Sequence, residues 1–143
     1  MTIAISVTEV LKTVYAASAL RRRLRGADEG LVTRADEAAL RRFVALAAGD
    51  TAIALCRRVT RFEIDADDEI ITFELTGDAD CAASVRQALE TAVGYGALAA
   101  LRDAAGEAGR AESYRGLAAE AVETTLAAAS STGPLPRITP FYY

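Results

Sequence analysis

Apolar residues recur at helical spacing over most of this chain and switch to strict alternation only once. Val7, Val10, Leu11 and Val14 follow a Ser6-Val7-Thr8-Glu9 capping box, in which a Ser side chain caps the first turn and a Glu reaches back. Leu20 and Leu24 extend the apolar side, which predicts a first helix to about Arg25, stopped by Gly26. Thr33, with Asp36 three residues on, opens a second helix with the stripe Leu40, Phe43, Val44, Ala47. Gly49-Asp50 is read as a kink or split, after which Thr51 to Arg58 resumes the helix with Ile53, Leu55 and Cys56. The period then changes to two. Phe62 and Ile64 alternate with Arg61, Glu63 and Asp65, and Glu69 to Leu75 follows across a short acidic turn, which predicts a β-hairpin at about 61–76. A lone hairpin is marginal in water and needs helices or another strand beside it.

A third helix starts at Asp78 or Asp80, with Val85, Leu89, Ala92, Val93, Gly96, Ala99 and Ala100 on one face and Leu98 and Leu101 beside it. It breaks between Ala104 and Gly109. A fourth carries Tyr114, Leu117, Ala118, Ala121, Val122, Thr125 and Leu126, and so short a break makes helices three and four an antiparallel pair. Gly94-Tyr95-Gly96 falls inside the third helix. No strand precedes it, so it reads as a place of close helix approach and not as a phosphate loop. The predicted fold class is therefore mostly α with a minor β part: one domain over 1–132, built as a four-helix body with a β-hairpin between helices two and three.

Residues 133–143 break the pattern. Gly133-Pro134-Leu135-Pro136-Arg137-Ile138-Thr139-Pro140-Phe141-Tyr142-Tyr143 holds all three prolines of the chain and a third of its aromatics. Proline fixes φ and holds the preceding residue extended, so this stretch reads as a stiff, polyproline-like arm. An aromatic arm suits docking, since Tyr offers an apolar ring with a polar tip. Two readings stand: the arm docks on its own domain, or it enters a groove of an adjacent subunit.

Composition narrows the chemistry. The chain is 52% hydrophobic and only 6% aromatic, and Ala makes up roughly a fifth of it, which favours closely packed helices. No apolar run suffices to span a membrane, and residues 1–20 lack the pattern of a secretory signal. Histidine is absent, which removes Ser-His-Asp and Cys-His catalysis and His-containing zinc sites; Lys12 is the one lysine. The chain reads as non-catalytic, with no cofactor and no metal. The acidic stretch Glu63, Asp65, Asp67, Asp68, Glu69 lacks the Gly and Glu positions of an EF-hand and reads as a polar turn. Cys56 and Cys81 read as reduced, packed thiols.

Net charge is −4 but uneven: residues 1–61 hold eleven cations against six acids, and residues 62–143 five against fourteen. Such asymmetry marks either halves that pair within a monomer or unlike surfaces that meet head to tail in a ring. Arg21, Arg22, Arg23 and Arg25 form the densest basic cluster, suited to an acidic partner or simply to a solvated helix end. The overall acidity and the lack of interleaved aromatics argue against sequence-specific nucleic-acid binding.

Three stretches carry a family resemblance: Ala92 to Leu101, then Tyr114 to Ala121, then Arg137-Ile138-Thr139-Pro140-Phe141-Tyr142-Tyr143. Over roughly residues 80–143 the chain resembles the small head–tail connector, or head-completion, proteins of tailed bacteriophages and prophages. The resemblance implies a non-catalytic virion protein. It would form a homo-oligomeric ring on the portal, contact portal and tail proteins, and reside in the bacterial cytoplasm during assembly. Ile138, Phe141, Tyr142, Tyr143 and the cluster Arg21, Arg22, Arg23, Arg25 are the expected contact residues. The hairpin at 61–76 is more regular than the bare helical members of that family need. The other reading of the same residues is a small cytosolic binding or regulatory module whose tail closes on its own helices.

Overall fold

The computed structural model describes residues 1–25, 32–65, 67 and 69–130, with the side chains of 21–25 left aside. Three strands and four helices follow one another along the described chain. β1 (Thr2–Ser6) leads directly into α1 (Val7–Arg25), and a 3-10 turn (Arg34–Asp36) precedes α2 (Glu37–Ala54). The hairpin strands β2 (Val59–Ile64) and β3 (Ile70–Leu75) come next, and a second 3-10 turn (Ala79–Cys81) opens α3 (Ala82–Ala104), followed by α4 (Ala108–Ser130). The mostly helical class, the four helices and the hairpin between α2 and α3 agree with the sequence pattern.

The sheet holds one strand more than the pattern predicts. Thr2–Ser6 pairs antiparallel with β3, so the order is β1-β3-β2 with β3 central. Its alternation is short but clean: Ile3 and Ile5 are fully buried, while Thr2 and Ala4 face outward. Register builds an apolar inner face row by row. Ile3 and Phe62 flank Phe73, and Ile5 and Ile64 flank Ile71. The Phe62 and Phe73 rings lie 5.2 Å apart, a tilted aromatic pair across the ladder. The marginal hairpin is thus completed from within the chain.

The acidic turn is held by its own side chain. Asp65 Oδ1 accepts hydrogen bonds from the backbone N–H of Glu69 (2.8 Å) and Ile70 (3.1 Å), so one short carboxylate closes the turn. Arg41 on α2 then bridges Glu37 (3.3 Å) and Glu69 (2.7 Å), tying helix to turn.

α3 is the hub, packed against α1, α2, α4 and β1. Small residues permit this. A Cβ placed on Gly94 would meet Val14 at 3.6 Å, and one on Gly96 would meet the Ala47 Cβ at 2.9 Å, so α1 and α2 both approach α3 across the predicted glycines. Tyr95 between them stacks on the fully buried Tyr114 of α4 at 6.1 Å. α3 ends in a Schellman motif, with Gly106 at φ 78°, Glu107 N–H donating to Arg102 O (2.9 Å) and Gly106 N–H to Asp103 O (3.0 Å). The turn is clamped by charge: Arg102, only 7% exposed, meets Glu107 at 3.3 Å, and Arg110 meets the same carboxylate at 2.9 Å.

Three local expectations are corrected. α2 passes through Gly49-Asp50 as a single helix, because nothing there interrupts the ladder. It ends at Ala54 instead of resuming to Arg58; Leu55 turns into the core at its C-cap, and Ile53 faces outward. Cys56, expected to be packed, is exposed because it falls in the turn after that cap, while Cys81 is half-buried.

Candidate functional site: an open groove on the helical face

The arrangement around α3 leaves a groove. α2 and α4 pack on α3 from two sides, and between them Ala92, Gly96, Ala99 and Ala100 form a floor of small residues. Phe43, Leu46, Ala47 and Ala54 make the α2 wall; Ala118, Ala119 and Val122 make the α4 wall. The groove measures about 660 Å³ and is open to solvent along its length. The Ala-rich composition explains its depth, since a floor with no side chain beyond Cβ leaves room that larger residues would fill. Leu46 stands on the rim, 64% exposed, and Ile53 lies two turns further along the same side of α2, 72% exposed. Covering such side chains is worth about 1–2 kcal/mol each, so this face favours a partner over water.

Polar groups sit at the edges. Asp50 is exposed on α2, and at the far end Asp103 pairs with Arg115 at 3.2 Å. The groove therefore carries two acids and one cation, a net negative rim.

A second cleft of about 400 Å³ lies between α3 and α4, lined by Gln87, Thr91, Tyr95, Glu120 and Thr124. The Thr91 and Thr124 hydroxyls already donate to the Gln87 and Glu120 carbonyls of their own helices. Two titratable groups are shifted by their surroundings. Burial raises Tyr15, helped by Glu37, and burial raises Glu90 against the opposing pull of Arg86. Neither lines the groove. Among the described residues no group of three or more Cys, Asp or Glu gathers as a metal site, and no helix is long and apolar enough to cross a membrane.

The contact residues expected from the sequence fall elsewhere. Arg21, Arg22, Arg23 and Arg25 occupy the last turns of α1, and their side chains lie outside the described residues. Ile138, Phe141, Tyr142 and Tyr143 also lie outside them. The groove was not anticipated. Its signal was present in Leu46, Asp50 and Ile53, which fall on a second side of α2, next to the stripe that packs the core. Comparison with protein-family models, with curated proteins and with solved structures yields no match.

Proposed function

We propose that this chain is a non-catalytic assembly protein, a connector of a tailed phage or prophage particle that forms an oligomeric ring on the portal. One observation carries the assembly part of this reading: the open apolar groove walled by Phe43 and Leu46, with Ile53 exposed beside it, on a domain whose other large apolar side chains mostly pack inside. A face of this kind suits protein association, in which an apolar centre is ringed by polar groups. The resemblance of residues 80–143 to connector proteins supplies the class of particle, and the charge asymmetry of the two halves suits a head-to-tail ring, where unlike surfaces meet.

Electron microscopy of the purified chain at rising concentration tests this. Rings of one rotational symmetry are expected, lost on Leu46→Glu, a change at an exposed position that leaves the core untouched. Particles of monomer size at every concentration would contradict it.

A further inference from the structure

We infer that the groove on α2, α3 and α4 receives the arm Gly133–Tyr143 of a second copy of this chain. The inference rests on the assembly reading and names the occupant of its contact surface. It starts from where α4 ends. Ser130 is held by Arg58 Nη2 at 2.8 Å, and Ala129 packs so closely on Gly77 that a Cβ there would lie 2.9 Å from the Ala129 carbonyl oxygen. The exit of α4 is thus pinned beside the sheet, at the start of β2 and the end of β3. Val122, the nearest groove residue on α4, lies eight residues back along the helix, about 12 Å at 1.5 Å per residue. The helix runs away from its own groove at this point.

Entry into that same groove would require the chain to turn back after Ser130, whereas Pro134 and Pro136 favour an extended course. Continuing forward, the thirteen residues 131–143 span up to about 40 Å at polyproline or extended rise. An arm of that length can bring Phe141, Tyr142 and Tyr143 to the groove of a neighbouring copy. The groove follows α3 from Ala92 to Ala104, about 18 Å, which seats five or six residues of an extended chain.

Chemistry matches at both ends. The arm offers three aromatic rings and Ile138 to an apolar floor of alanines. Its one charged side chain is Arg137, and the groove rim has an excess acid, with Asp50 exposed on α2 while Asp103 is engaged by Arg115. Head-to-tail insertion of an arm into the next subunit's groove is a heterologous contact, which forms a ring where its rotation closes on itself.

The test uses the full chain with Phe141→p-benzoylphenylalanine, prepared once with ¹⁵N and once without, mixed and irradiated. Mass spectrometry of the digest should show mixed-isotope cross-links from the position-141 peptide to peptides of α2, α3 or α4 that line the groove. Leu46→Glu should reduce them at least tenfold. Cross-links to the groove that join only like isotopes would overturn the inference in favour of a self-docked arm. Cross-links confined to other surfaces, with oligomers still present, would overturn the occupant and leave the assembly reading standing. A chain that stays monomeric at all concentrations and gives no mixed-isotope product would remove both.

Discussion

Gly94 and Gly96 lie two residues apart on α3, yet alanine at each should act in opposite directions. In a helix interior Gly→Ala gains up to about 1 kcal/mol by restricting the unfolded chain. At Gly94 the new methyl would sit 3.6 Å from Val14 and 3.9 Å from Val10, an ordinary contact, so the gain should survive. At Gly96 it would sit 2.9 Å from the Ala47 Cβ. Carbon atoms settle at about 3.5–4.0 Å, so α2 and α3 must part by roughly 0.6–1 Å. Ala47 has no flexible tip to swing aside, and overpacking of this kind costs about 1–3 kcal/mol. The two variants should therefore differ by about 1–3 kcal/mol with Gly94→Ala the more stable, or about 0.5–1.5 M in urea midpoint for a typical slope of about 2 kcal/mol per M. Urea unfolding followed by circular dichroism reads this directly. Ala47→Gly should rescue part of the Gly96→Ala loss, with a coupling above about 0.5 kcal/mol in the double-mutant cycle. Equal midpoints, or a Gly96→Ala variant more stable than Gly94→Ala, would refute the close α2–α3 approach that forms the groove floor.

Phe73→Ala should cost about 3–5 kcal/mol in the same assay, since the ring is fully buried on the central strand between Ile3 and Phe62. Asp65→Ala should cost about 1 kcal/mol by removing the acceptor of two turn N–H groups, and Asp65→Asn should restore most of it. Glu90 has its pKa raised above 4.5, first by burial, so the folded chain holds this proton more tightly than the unfolded one. Its contribution is fully favourable below the unfolded value and declines as pH rises through the folded value. Glu90→Gln should accordingly stabilise the protein at neutral pH and lose that advantage in acid, as read from thermal melts at several pH values. Cys56 should react with iodoacetamide in the native state faster than the half-buried Cys81, which peptide mapping after a short pulse distinguishes.

Helical periodicity made most of the architecture readable before any coordinates. The stripes of α1, α3 and α4, the break between Ala104 and Gly109 and the alternation from Phe62 to Leu75 each correspond to an element, but Leu20, read as extending the α1 stripe, is exposed. What escaped was short or tertiary. β1 spans five residues, and its Ile3–Ile5 alternation is too brief to stand apart from the helix that follows; only pairing with β3 makes it a strand. Gly49 suggested a break by local propensity, but a single glycine within a packed helix is tolerated when its neighbours Val44, Ala48 and Thr51 are buried. Ile53 entered the core stripe on hydrophobicity alone, whereas its side chain stands exposed on the outer side of α2. The groove was hidden for the same reason: it is defined by the space alanines leave between three helices, which no linear pattern displays. The arm's chemistry, by contrast, was plain in the sequence, as were the glycines at the close helix contacts.

The central claim is association through the groove, and light scattering across concentration tests it most directly. The full chain should converge on one fixed multiple of 15.1 kDa, while Leu46→Glu and Ile53→Glu, folded by circular dichroism, should remain at the monomer mass. A wild-type chain that holds the monomer mass throughout, or variants that assemble as it does, would contradict the account.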